Sequence, residues 1–202
     1  MVVIPIRGLE EAKSRLGQAL DAEERRDLVT RLLGRTIAAA RAAGRVDSVV
    51  VVSPDPATLD LAVAAGARAL PQKGRGLNCA VEEARDLALA ESVGAILVLP
   101  WDLPFVDGPA LDSLIAVADE DDEPLVALVP DRHGRGTNAL LLRPPNVIAS
   151  AFGGDSRDAH ALRARAAGAR YLEHGGPLGV DVDTPDDLLL VDDLSRTRDE
   201  AG

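Results

Sequence analysis

Val2-Val3-Ile4-Pro5-Ile6 and Ser48-Val49-Val50-Val51-Val52-Ser53 are two short β-rich runs, and residues 21–43 between them repeat at helical intervals. In that middle stretch Val29, Leu32, Leu33, Thr36, Ile37 and Ala40 fall on one face, with Arg and Glu opposite. Asp21, with Glu24 three residues on, predicts an N-cap, and Gly44 a stop. A strand, a long amphipathic helix and a second strand imply a right-handed crossover within a parallel sheet.

The same alternation continues outward. Further strands are expected at 95–99, 125–129 and 139–142, and helices at 56–65, 77–91, 109–118, 157–167 and 185–194. This predicts an α/β fold: a doubly wound, mostly parallel sheet between two layers of helices. The stretch after Pro130 is less regular and leaves room for an antiparallel strand and for substrate loops. With no repeat, no Gly/Ser linker and no break in composition, one domain over residues 1–202 is expected. Ligands of such sheets lie at the carboxyl ends of the strands, where the connections reverse.

Composition narrows the class. Hydrophobic residues make up 47% of the 202 and aromatics only 2%, so the core must be Val, Leu, Ile and Ala, which suits a sheet covered by helices. A net charge of -11 repels nucleic acid and anionic membrane, so phosphate binding would need a local pocket or a metal. Cys79 is the only cysteine, which rules out an intrachain disulfide. Met1 leads directly into Val2-Val3-Ile4 without a basic leader, and no apolar run is long enough to span a bilayer. A cytoplasmic protein is expected. The acidic block Asp119-Glu120-Asp121-Asp122-Glu123 reads as a solvated loop.

The candidate chemistry follows the strands. After the first comes Arg7-Gly8-Leu9, with Lys13 and Arg15 further on. A glycine-bearing loop here can lay backbone N–H groups against phosphates, and Arg7, Lys13 and Arg15 would neutralise a triphosphate and its departing pyrophosphate. Plain surface charge is the alternative. In Gln72-Lys73-Gly74-Arg75-Gly76-Leu77-Asn78, Gly74 and Gly76 permit close approach to a base or ribose, and Asn78 either reads that group or caps the following helix. Asp102 ends an apolar strand between Pro100 and Pro104, as a metal ligand or a turn former.

In Val180-Asp181-Val182-Asp183, strand alternation would turn Asp181 and Asp183 to the same side, a hard-oxygen site suited to Mg²⁺ or Mn²⁺. Asp183 can equally cap a helix beginning at Thr184-Pro185. Thr137 begins a strand, and Ser156 stands where a helix should start, a compact place for a phosphate or a simple N-cap. His133, His160 and His174 lack metal-ligand spacing, and His160 reads as a positioning or capping residue.

Taken in order, Pro5-Ile6-Arg7 with Ala12-Lys13-Ser14-Arg15-Leu16, Gly76-Leu77-Asn78, Asp102-Leu103-Pro104, Gly136-Thr137-Asn138, Phe152-Gly153 with Ser156 and His160, and Asp181-Val182-Asp183-Thr184-Pro185 cover nearly the whole chain. Together they resemble the 2-phospho-L-lactate / phosphoenolpyruvate guanylyltransferase family of coenzyme F420 biosynthesis. The resemblance implies a fold like that of the GT-A nucleotidyltransferases. It also implies GTP as co-substrate and a small phosphorylated carboxylic acid as acceptor. Thr137, Gly153 and Ser156 would contact the acceptor phosphate, and Asp102, Asp181 and Asp183 would hold metal. Arg7 stands where the family would have lysine, Arg157 where it often has an aromatic, and Asp155 sets a carboxylate beside the phosphate site. A homodimer is compatible with the sequence.

Overall fold

The computed structural model describes residues 1–9, 20–119, 122–182 and 187. Val2–Pro5 (β1) lies near the middle of one seven-stranded sheet, paired in parallel with Val49–Ser53 (β2) on one side and Ile96–Val98 (β4) on the other. Beyond β2 runs Arg68–Pro71 (β3), also parallel. Beyond β4 lies Thr137–Arg143 (β6), antiparallel to its neighbours, then Leu125–Pro130 (β5) and Arg170–Glu173 (β7). The order β3-β2-β1-β4-β6-β5-β7 reverses direction of travel between β1 and β4, the switch point at which such sheets bind ligands.

Helices Ala22–Ala42 (α1), Pro56–Ala64 (α2), Leu77–Ala90 (α3), Gly108–Ala116 (α4) and Ser156–Ala166 (α5) cover the sheet. Alternate strand residues supply two cores. Val2, Ile4, Val49 and Val51 pack with Val29, Leu33 and Ile37 of α1 and with Leu111 and Leu114 of α4. Val3, Val50 and Val52 pack with Ala80, Val81, Ala84 and Ala88 of α3 and Ala164 of α5. The expected three-layer α/β architecture is therefore present, with β6 as its antiparallel strand. Among the described residues no helix is long and apolar enough to cross a membrane.

The expected capping box forms at α1: Asp21 accepts from the Glu24 N–H at 2.9 Å, and the Glu24 carboxylate accepts from the Asp21 N–H at 2.8 Å. Gly44 is not a left-handed stop. The C-cap is Ala43 in an extended conformation, and the N–H groups of Gly44 and Arg45 donate to Asp112 of α4. Two strands escaped the sequence pattern, β3 and β7. Both are sheet edges and neither is fully buried, so neither needs a continuous apolar run. The strand anticipated at 180–183 does not form over 180–182, which follow a single 3₁₀ turn at Pro177–Gly179 outside the sheet. The helix expected at 185–194 falls almost wholly outside the described residues.

Candidate active site

Because β1 to β5 run in parallel and β6 runs against them, the ends of the parallel strands and the beginning of β6 meet at one edge. Arg7, the 72–76 loop, Asp102 and Thr137 all belong to this edge, and each is held there by a specific bond.

The first loop is fixed from α2. Ser53 Oγ donates to the Arg7 carbonyl at 3.3 Å, and Gly8 lies against Asp55, whose Cβ would be 3.2 Å from a Cβ added at Gly8. Asp55 is the N-cap of α2 and accepts from Ala57 N–H, Thr58 N–H and the Thr58 hydroxyl. The Thr58 hydroxyl above all, aided by these N–H groups, holds its carboxyl below the usual range. Arg7 itself is exposed at the rim. Lys13 and Arg15 lie outside the described residues.

The second loop is braced by a helix carboxylate that the sequence did not single out. Glu83 of α3 accepts from Lys73 N–H at 3.0 Å and Gly74 N–H at 2.7 Å, while Gln72 Nε2 donates to the Gly76 carbonyl at 3.0 Å. A Cβ at Gly74 would stand 2.1 Å from Cys79 Sγ, so any side chain there would force the thiol to turn away. Gly76 is required for its backbone instead, with φ at +88° and ψ at 163° at the N-cap of α3 and open space around it. Gly76→Ala is therefore expected to lose about 1–3 kcal/mol in urea unfolding through backbone strain alone. An unchanged midpoint would mean that the loop adopts another conformation.

Asn78 faces away from any simple capping role. Its Nδ2 donates to the Phe152 carbonyl at 3.0 Å and its Oδ1 accepts from the Phe152 N–H at 2.8 Å. Ser150 Oγ reaches the Asn78 carbonyl at 3.4 Å. Asn78 thus clamps the 150–153 segment, which carries Gly153, onto the start of α3.

After β4 the chain turns through Pro100–Asp102. Thr36, counted in the sequence with the apolar face of α1, donates its hydroxyl to the Trp101 carbonyl at 3.1 Å. The N–H of Val182 donates to the Asp102 carbonyl at 3.3 Å. The first bond ties the turn to α1, the second sets the Asp181 segment beside it, and both aspartates are half-buried. Asp183, the third expected carboxylate, lies outside the described residues. The Asn138 amide, donating to the Leu178 carbonyl at 3.1 Å, ties the same segment to the start of β6.

Thr137, Gly153, Ser156 and His160 gather at the beginning of α5. Ser156 is the first helical residue, buried, with its N–H on the Gly153 carbonyl at 3.3 Å; the N-cap is Asp155, without a side-chain cap bond. His160, one turn on and fully buried, has Nδ1 3.1 Å from Thr137 Oγ1 and accepts the Ala151 N–H at Nε2 at 2.9 Å. Burial first, then the Arg163 guanidinium, pushes its pKa down to about 4.

The two unusual charges beside this cluster are each engaged. Asp155 is paired with Arg135 at 2.8 Å, and the Arg157 guanidinium turns to Glu173 of β7 and the Gly134 carbonyl. Neither presents an uncompensated charge to the Thr137–Ser156 corner.

The family model described as "Guanylyl transferase CofC like" matches residues 1–192. The chain is 44% identical over 190 residues to phosphoenolpyruvate guanylyltransferase of Sphaerobacter thermophilus, covering 93% of this chain and 90% of that protein. It is also 44% identical to the enzyme of the same name from Rubrobacter xylanophilus, over 94% and 92% of the two chains. Among solved structures, a putative nucleotide-diphospho-sugar transferase from Desulfovibrio desulfuricans superposes with a TM-score of 0.77 at 16% identity, over 94% of this chain and 84% of that one. A nucleotidyl transferase from Methanothermobacter gives 0.67 at 15%, over 97% of each, so the fold is that of nucleotidyltransferases. Matched almost from end to end, the chain belongs to the guanylyl transferase CofC-like family.

Proposed function

We infer that the protein transfers the GMP unit of GTP to the phosphate of phosphoenolpyruvate, releasing pyrophosphate, as a step of coenzyme F420 biosynthesis. The names of its relatives support the reaction and the acceptor. The observation that carries the reading is the Asn78–Phe152 clamp, which joins the glycine loop ahead of α3 to the segment bearing Gly153. Donor and acceptor loops are thereby one unit.

In this reading Arg7, Gly8, Gly74 and Gly76 line the nucleotide, and Thr137, Gly153 and Ser156 take the acceptor phosphate. Asn78 positions the two loops rather than reading the base. An oxygen of the acceptor phosphate attacks the α-phosphorus of GTP in line. The new P–O bond forms as the α–β bridge breaks, and its electron pair leaves with pyrophosphate, whose charge Lys13 and Arg15 offset. A phosphate monoester has a second pKa of about 6, so the nucleophile is largely ionised at neutral pH and no side chain must remove a proton. That agrees with His160, whose two ring nitrogens are both engaged inside the fold.

Asp102 and Asp181, with Asp183, would hold a divalent cation. The donor set fits, since two half-buried carboxylates on adjoining segments suit a hard ion such as Mg²⁺, or Mn²⁺. When bound, the ion supplies charge neutralisation between two polyanions.

The test is pyrophosphate release from GTP and Mg²⁺ with phosphoenolpyruvate, with 2-phospho-L-lactate or with no acceptor, following the guanylylated product by mass. Release with phosphoenolpyruvate is expected, and faster from GTP than from ATP, CTP or UTP. Silence with every acid and nucleotide would overturn the reading.

A further inference from the structure

His160 sits between three elements: it belongs to α5, its Nδ1 meets Thr137 at the start of β6, and its Nε2 meets the 149–153 segment. The second contact decides the chemistry of the first. A backbone N–H can only donate, so the Nε2 facing Ala151 N–H carries no proton. The imidazole is then neutral, as its burial also requires, and its single proton resides on Nδ1. Nδ1–H therefore donates to Thr137 Oγ1. Among the described residues His160 is the only hydrogen-bond partner of the Thr137 side chain. A hydroxyl that accepts on one side retains its own proton for donation on the other.

The geometry points to His160 as a positioning residue for the acceptor: by donating to Thr137 it commits the Thr137 hydroxyl to donate to the acceptor phosphate. A phosphate dianion offers only acceptors, so a hydroxyl already set as a donor needs no reorientation when the anion arrives. A hydroxyl without this partner could rotate its proton toward a protein carbonyl and present a lone pair to the anion. Ser156 lies one turn before His160, so the same side of α5 presents both the residue that sets Thr137 and a second hydroxyl. This inference rests on the reading of Thr137 as an acceptor-phosphate contact.

His160 also holds the Ala151 N–H, a purely structural task, and two variants separate the roles. Asn places its amide near the position of Nδ1 and keeps a donor to Thr137. Gln reaches the position of Nε2 and keeps an acceptor for Ala151. His160→Asn is expected to hold the KM for phosphoenolpyruvate within about threefold of the parent, whereas His160→Gln raises it roughly tenfold or more, with the KM for GTP unchanged in both. In a Thr137→Val background, His160→Gln should add nothing further. Equal effects of Asn and Gln, or additive effects with Thr137→Val, would overturn the inference and leave only loop support.

If Thr137→Val alone leaves the acceptor KM unchanged, the acceptor site itself has been misplaced and the inference falls with it. Should either His160 variant fail to fold, ¹⁵N NMR of the unaltered protein with labelled histidine decides the matter. With three histidines in the chain, one should show a neutral ring protonated on Nδ1. A buried ring protonated on Nε2 would overturn the assignment.

Discussion

Asp102→Asn is expected to lower turnover by roughly a thousandfold or more while the protein remains folded. The substitution keeps the size of the side chain and removes its charge. The bonds described for this turn run through main-chain carbonyls, Trp101 to Thr36 and Asp102 to Val182, and the change leaves those atoms in place. What it removes is half of the carboxylate pair that would hold the cation, and with the cation its offset of the charge on GTP and phosphoenolpyruvate. Pyrophosphate release at saturating substrates measures the loss, and a thermal melt confirms the fold. Asp181→Asn should behave alike, with a higher Mg²⁺ concentration needed for the residual activity in both. Near-parental turnover in either variant would remove these residues from the chemistry.

Asn78→Ala carries the second large effect, and of a different kind. Two hydrogen bonds to Phe152 disappear at once, each worth about 1 kcal/mol net and more where a main-chain group is left unsatisfied. The protein should lose about 2–3 kcal/mol of stability in urea unfolding. The KM values for GTP and phosphoenolpyruvate should both rise, by roughly tenfold each, because the clamp serves both loops. Asn78→Asp should fare no better: its second oxygen would face the Phe152 carbonyl, acceptor against acceptor. If only the KM for GTP moves, Asn78 touches the nucleotide and the clamp is incidental.

The sequence announced the parts of this fold that are buried on both sides. β1, β2 and β5 are unbroken apolar runs, and the amphipathic stripe of α1 with its capping box left little choice. β3 and β7 were not legible, since an edge strand bonds one neighbour and needs no continuous apolar signal. The site divides in the same way. Candidates at strand ends could be singled out because α/β sheets bind there, and Gly74, Gly76, Asp102 and Thr137 do lie along that edge. Glu83 was not, because a glutamate within a helical pattern looks like surface until the loop it accepts from is folded over it. Thr36 hid in the apolar face of α1 for the opposite reason, its methyl passing for a core group while its hydroxyl held the Asp102 turn. At Asp181 the strand argument failed over 180–182, and a single backbone bond to Asp102 takes its place.

The reversal of β6 also bears on how the protein could change. The loops after β1, β2, β3 and β4 each lead from a strand toward a covering helix, so lengthening one would disturb how that helix packs on the sheet. The 131–136 connection leads from β5 straight back into β6, a hairpin whose two strands are already bonded to each other. Among the described residues its tip bonds to the start of α5 only through Gly134 and Arg135, and exposed loop tips are where added residues are tolerated best. Since this hairpin ends at Thr137, it is the place where the chain could be remodelled to admit a bulkier acid while the machinery for the nucleotide stays untouched.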